Sequence, residues 1–258
     1  MASWERIWLN NRYSWDNEFP TEHFQAFVRH HITPSLKHRN RAGLSGSALC
    51  LDFGCGSGAN LRYAAALGLD VIGVDISATA LVEAKLKLQH PTSFSNKPCG
   101  EIALYQLTRD DGRRNRKLKN RCLRLIGEKS AGPNTGNLRM LADLTSLDFA
   151  VADGVLYYLS EREVREFVFL CSQKLKPGGA LRIYTKNVDD ETERSPIDGE
   201  KDSFIVNVGG EQGLSWFVPH ESYWLELLGN FSRVLIGYDR FQYTGGKLNS
   251  FLIITAIL

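Results

Sequence analysis

The 258-residue sequence contains only five cysteines, Cys50, Cys55, Cys99, Cys122 and Cys171, with no CxxC pair among them. An odd number without paired spacing offers neither a disulfide framework nor a zinc cluster, and a reducing cytoplasm suits it best. Long apolar runs are also missing. The longest, such as FLIITAIL over 251–258, fall well short of the roughly 20 residues a membrane span needs. The opening MASWERIWLNNRYSWDNEFP carries charge within its first six residues and has no apolar stretch of a secretory signal. The expectation is therefore a cytoplasmic protein without a membrane partner. Nor is there an excess of one charge: 31 Lys and Arg against 29 Asp and Glu leave +2, which gives no global drive toward nucleic acid or an anionic surface. Internal repeats are lacking, and 43% hydrophobic with 23% charged residues excludes disorder, collagen and coiled coil in favour of a globular chain with a sizeable core.

What is present is an alternation of periods. Residues 48–89 read as an apolar strand (ALCLDF), a glycine-rich turn, a helix, a second strand (DVIGVD) and a second helix from Ser77. A third strand is expected at Leu138–Ala142 and a fourth at Phe149–Asp153. A helix should follow from Ser160, where Ser160 and Glu163 have capping-box spacing. Lys176-Pro177-Gly178-Gly179 stops that helix before a fifth strand at Ala180–Tyr184. After an irregular stretch come a short helix near Glu221–Leu228 and two strands, Phe231–Arg240 and Ser250–Leu258, which a turn containing Gly245-Gly246 folds into an antiparallel hairpin. The sum is one α/β domain over 1–258, with a doubly wound, mainly parallel seven-stranded sheet. An aromatic-rich helical cover occupies 1–44, and a basic insertion occupies 90–136. Within 109–129, nine basic residues stand against three acidic ones, a local net of +6 that leaves −4 on the rest.

The strongest chemical signal is Asp52-Phe53-Gly54-Cys55-Gly56-Ser57-Gly58-Ala59-Asn60 between the first strand and first helix. Glycines let the backbone turn tightly and approach a ligand, and a helix N-terminus favours negative charge. Alone, the pattern also fits a dinucleotide site. Its companion is Asp75 at the end of VIGVD, where a carboxylate can accept hydrogen bonds from both ribose hydroxyls. Together they read as nucleoside binding at the strand C-termini.

At these residues the sequence resembles the class I S-adenosylmethionine-dependent methyltransferases, whose fold is Rossmann-like. DFGCGSG is similar to their first motif, VIGVDIS to their second, and LKPGGALRIY to the segment entering their fifth strand. The C-terminal hairpin is also typical of them and unlike a nicotinamide dehydrogenase. More loosely, WERIW and WDNEFPTE resemble the start of bacterial methyltransferases of surface-sugar and small-molecule pathways. The resemblance implies S-adenosyl-L-methionine as cofactor and S-adenosyl-L-homocysteine as product. It implies that Asp52 orients the methionine amino group, that Gly54, Cys55, Gly56 and Asn60 line the methionine moiety, and that Asp75 holds the ribose with Ile76 against adenine. Asp143 would sit beside the adenine amino group, although a turn or cap role competes with that. Asp153, ending the fourth strand, would face the transferring methyl.

Methyl transfer from a sulfonium needs alignment and exclusion of water rather than a metal or a nucleophilic cysteine. Cys55 is accordingly read as a small loop residue, and His30, His31 and His38 as surface or packing residues. If the acceptor is a hydroxyl, a base must take its proton, and Asp153, Tyr157, Tyr158 and His220 are of suitable type. The acceptor is expected to be a small molecule, such as a sugar or other metabolite, with the basic run favouring an anionic one. Two alternatives stand beside this reading. One is an RNA methyltransferase using the basic insertion, the other a non-catalytic S-adenosylmethionine-binding protein. DNA amino-methylation is disfavoured because the fourth strand ends in ADGVLYY, without the Pro-Pro-aromatic motif of such enzymes.

Overall fold

The computed structural model describes residues 4–11, 19–43, 46–89, 102–107, 134–136, 144, 146–242 and 246–258. The central strands follow from their composition. β1 (Leu49–Phe53), β2 (Asp70–Asp75) and β5 (Leu147–Asp153) are buried nearly throughout, as strands covered on both faces must be. With β3 (Ile102–Leu107), β4 (Asn134–Gly136), β6 (Leu175–Lys186), β10 (Arg233–Gln242) and β11 (Leu248–Ile257) they form one sheet ordered β10-β11-β6-β5-β1-β2-β3-β4. Pairing is parallel from β6 through β4, and antiparallel at β6–β11 and β11–β10. The seven-stranded, mainly parallel architecture with its closing hairpin is thus present, extended at one edge by the three residues of β4.

Two strands, β3 and β4, lie where the sequence suggests an insertion. β3 sits beside β2 in register from Val71–Ile102 to Asp75–Gln106. Its pattern is weak because only Leu104 and Tyr105 of IALYQL are buried, and the dense basic run that follows masks it. The strand expected at Leu138–Ala142 and the basic run at 109–129 lie outside the described residues. The irregular stretch after β6 holds a second, three-stranded antiparallel sheet of β7 (Arg194–Pro196), β8 (Ser203–Val206) and β9 (Ser215–Phe217).

Helices cover both faces. α6 (Glu161–Lys174) starts at the expected capping box: the Ser160 side chain accepts from the Glu163 N–H, and the Glu163 carboxylate accepts from the Ser160 N–H at 2.8 Å. Its buried Val164, Phe167, Val168 and Cys171 recur at helical spacing, and with α7 (Glu221–Leu227) they pack one sheet face. The other face meets α4 (Ala59–Ala66), α5 (Ala78–Gln89) and α2 (Glu22–Phe27), which runs through a π-helical turn (Val28–Ile32) into α3 (Thr33–Arg41). At the N-terminal end of the strands, Asp148 accepts from Arg39 at 3.0 Å, Lys176 at 2.7 Å and the Leu49 N–H at 2.9 Å, tying α3 to the sheet.

α1 (Trp4–Asn11) belongs to a third layer with the small sheet, packed around Ile7, Tyr157, Tyr158 and Trp216. It is held by Glu5, whose carboxylate accepts from Ser77 Oγ at 2.8 Å and from the Thr79 N–H and hydroxyl at the start of α5. Burial pulls the Glu5 pKa upward, and these donors outweigh it, holding it below the usual carboxylate range. No helix among the described residues is long and apolar enough to cross a membrane.

Replacing Ser160 by Ala removes one arm of the α6 capping box and is expected to lower stability by about 1 kcal/mol, seen as an earlier midpoint in urea with an unchanged slope.

Candidate active site

The chain leaves β1 for β2 in one direction along the sheet and returns through β5 on the other side. Such a switch point opens a crevice at the carboxyl ends of the strands, the usual ligand position in open α/β sheets. There a cavity of about 870 Å³ is lined by residues of the first three loops, α1, β6 and β11.

Its floor is the turn after β1. Gly54 and Cys55 both donate their N–H to the Val74 carbonyl, at 2.7 and 3.0 Å. Gly54 has φ +76°, and a Cβ there would lie 2.5 Å from the Val155 side chain. Both conformation and space demand glycine. The Gly56 N–H, 2.9 Å from Asp75 Oδ2, and the Ser77 N–H, 2.8 Å from Oδ1, hold the Asp75 carboxylate at the end of β2. Burial raises the Asp75 pKa against these donors.

Two more carboxylates share this space. Asp52 is 4% exposed, and its Oδ2 is buried with no hydrogen-bond partner among the described residues. Burial, followed by the neighbouring charges of Asp153 and Asp75, pushes its pKa well above the usual range. Asp153, ending β5, accepts from Arg182 Nε at 3.0 and 3.2 Å and from Asn60 Nδ2 at 3.4 Å. Arg182 is 2% exposed, and its guanidinium carbon lies 5.9 Å from the centroid of the Phe27 ring.

The residues singled out from sequence mostly converge. Asp52, Gly54, Cys55, Gly56, Asn60, Asp75, Ile76, Asp153, Tyr157 and Tyr158 all line the cavity. Burial, first of all, raises the Cys55 thiol pKa well above its ordinary value, so it stays protonated. Asp143 lies outside the described residues. His220 is the correction: it is exposed at the N-terminus of α7 and does not reach the cavity. Its backbone is extended and its side chain makes no capping hydrogen bond to α7. Among the described residues, no group of three or more His, Cys, Asp and Glu side chains is arranged to hold a metal ion.

A family model described as a methyltransferase domain matches residues 51–181, half of the chain. The chain belongs to the methyltransferase-domain family. The methyltransferase shares its fold with several solved structures. An S-adenosylmethionine-dependent methyltransferase from Methanosarcina mazei is 19% identical with a TM-score of 0.56, over 84% of this chain and 95% of that one. A Pyrococcus horikoshii protein is 14% identical with a TM-score of 0.51, over 93% and 100%. TehB from Haemophilus influenzae is 16% identical with a TM-score of 0.50, over 91% and 66%. Comparison with curated protein sequences gives no match. The methyl donor of this enzyme is S-adenosylmethionine, and the site has the chemistry to accept it. The donor carries a positive ammonium and a positive sulfonium, and the six carboxylates lining the cavity include Asp52, whose buried Oδ2 has no donor among the described residues.

Trp4 and Trp8 of α1, from the aromatic-rich cover expected over 1–44, line the cavity, with Trp8 3.3 Å from where a Gly56 Cβ would stand. Other lining residues do not stand out in the sequence. Lys186 ends β6, Asn249 and Phe251 come from β11, and Glu211 ends a one-turn 3₁₀ helix (Gly209–Glu211). A signal existed only for Lys186, a charged residue ending an apolar strand.

Asp52 sets a testable sign. A carboxyl whose folded pKa is raised contributes stability that is full below its unfolded pKa of about 3.9 and is lost as pH rises through the folded value. Asp52→Asn should therefore stabilise the donor-free protein at neutral pH by about 1–3 kcal/mol, the scale of an unsatisfied buried acceptor, with the gain vanishing toward pH 4. Calorimetric melts across that range check it, and titration of the same variant should show weaker S-adenosylmethionine binding.

Proposed function

We propose that this methyltransferase acts on a small-molecule acceptor held inside the cavity between the glycine loop, β6, β11 and α1. The observation that carries this reading is the size and lining of the site. Its volume of about 870 Å³ lies within the roughly 300–1,000 Å³ typical of pockets for drug-sized ligands, and aromatic rings, Trp4 and Trp8 of α1 among them, line it. A nucleic-acid acceptor would instead call for an open basic groove with phosphate contacts. The lining side chains carry six carboxylates, Asp52, Asp75, Asp153, Glu163, Glu166 and Glu211, against two cations, Arg162 and Lys186. That balance disfavours an anionic acceptor, so the cavity lends no support to the one suggested by the basic run.

When bound, S-adenosylmethionine supplies an activated methyl group on a positively charged sulfonium. In our reading Asp52 accepts from the methionine ammonium through its unpartnered Oδ2, Gly54, Cys55, Gly56 and Asn60 surround the methionine part, and Asp75 accepts from the ribose hydroxyls with Ile76 beside the adenine. Asp153 is paired with Arg182, which suits it to fixed electrostatic stabilisation at the transfer point. Trp4 and Trp8 exclude water above the reacting groups.

Two measurements test this. Asp75→Ala should weaken S-adenosylmethionine binding by about tenfold or more in calorimetry, since charge-assisted hydrogen bonds are worth about 1.5–3 kcal/mol each; unchanged affinity in a folded variant removes Asp75 from the site. Incubation with methyl-labelled S-adenosylmethionine and panels of phenols, amines, sugars, nucleotide sugars and RNA should place label on a small molecule. Labelled RNA in place of any small-molecule product would overturn the acceptor class.

A further inference from the structure

One cluster in the cavity is left unused by the donor. Glu211, Lys186, Tyr157, Tyr158, Tyr184 and Phe251 line it on the side of the small sheet and β11, and they are joined through contacts with one another and with Trp216. The Glu211 carboxylate accepts from the Trp216 indole N–H at 3.1 Å and from the Tyr158 hydroxyl. Burial raises its pKa, although both donors and the nearby Lys186 charge oppose the rise. Lys186 cannot swing away. Its ammonium donates to Asp190 Oδ2 at 2.8 Å and to Asn249 Oδ1, and lies 4.2 Å from the centroid of the Phe251 ring and 4.8 Å from that of Trp216.

The remaining surfaces are ring faces and edges. Tyr184 stacks on Phe251 with centroids 4.4 Å apart, while Tyr157 meets Trp216 edge-on at 5.4 Å. A wall of this kind receives a flat ring by offset or edge-to-face contact.

We propose that this cluster is the acceptor subsite, that it takes an aromatic ring bearing a hydroxyl group, and that Glu211 is the catalytic residue that receives the hydroxyl proton. The proposal rests on the small-molecule reading above. In the step, the acceptor oxygen forms a bond to the methyl carbon as the carbon–sulfur bond breaks, the electron pair of that bond stays on sulfur, and the acceptor's proton passes to the Glu211 carboxylate. A hydroxyl suits the site because the Lys186 ammonium, fixed by Asp190 and Asn249, stabilises negative charge developing on oxygen. Glu211 is also the group best able to act as base. Asp153 is paired with Arg182, and burial drives the hydroxyls of Tyr158 and Tyr184 far above their ordinary pKa, keeping them protonated.

The test uses the full-length protein with catechol, 4-nitrophenol and glucose as probes. With S-adenosylhomocysteine bound, calorimetric titration should show binding of the two phenols and none of glucose. With labelled S-adenosylmethionine, at least one phenol should be methylated by the wild type. Glu211→Gln should keep its affinity for S-adenosylhomocysteine and for 4-nitrophenol within about threefold, while the transfer rate falls by about 100-fold to 10,000-fold, the usual contribution of a general base. Failure to bind S-adenosylhomocysteine would strike the donor site itself, and methylation of RNA the small-molecule reading. Donor binding with glucose preferred to phenols, or phenols bound but none methylated, overturns the subsite. An unchanged rate in Glu211→Gln overturns the base. If thermal melts show that this variant does not fold, Glu211→Asp, which withdraws the carboxylate by one methylene, should lower the rate by about tenfold or more, and a normal rate there is equally decisive against it.

Discussion

Three carboxylates, Asp52, Asp75 and Asp153, end neighbouring parallel strands and point into one buried space, with Arg182 as the buried cation that answers them. Charges so placed are costly, because each is taken from water into a region where like charges repel at short range. The surroundings divide that cost unequally. Asp75 has two backbone donors and Asp153 has Arg182 and Asn60, whereas Asp52 keeps an oxygen with no donor among the described residues. Burial raises the pKa of both Asp52 and Asp75 in the donor-free protein, a cost of holding charge there that a bound cation relieves. The glycine turn exists to let this happen: only a chain without side chains at Gly54 can pass under Val155 and still present its loop to the ligand.

Much of this was legible in the sequence. The alternation of apolar strands and helices from 48 to 89, the capping box at Ser160 and the closing hairpin are local signals, set by spacing along the chain. The loop glycines, Asp52 and Asp75 were legible because a motif fixes them relative to a strand end. Elements whose reason lies in distant partners were not legible. β3 is half-exposed and owes its place to pairing with β2, and the small sheet of β7–β9 consists of strands of three or four residues with little alternation.

The same distinction governs the site. Lys186 and Asn249 are 63 residues apart and meet because β6 and β11 are antiparallel neighbours, while Glu211 reaches the cavity from a turn in the small sheet. His220 is the converse, a chemically suitable residue that the fold leaves on the surface. Sequence spacing thus located the part of the cavity built by the first βαβ unit and the end of β5, and left out the part built by the closing strands and the small sheet.

The attachment of α1 has a mechanical meaning. Glu5 joins this helix to Ser77 and Thr79, and Ser77 also donates its N–H to Asp75. The helix that brings Trp4 and Trp8 to the cavity is therefore fastened to the segment that holds the Asp75 carboxylate, rather than to a remote edge of the molecule. Moving it away exchanges the donors on Glu5 for water, a modest loss, and bares the rings of both tryptophans. The position of this eight-residue helix and the geometry at the end of β2 are thus coupled through one carboxylate.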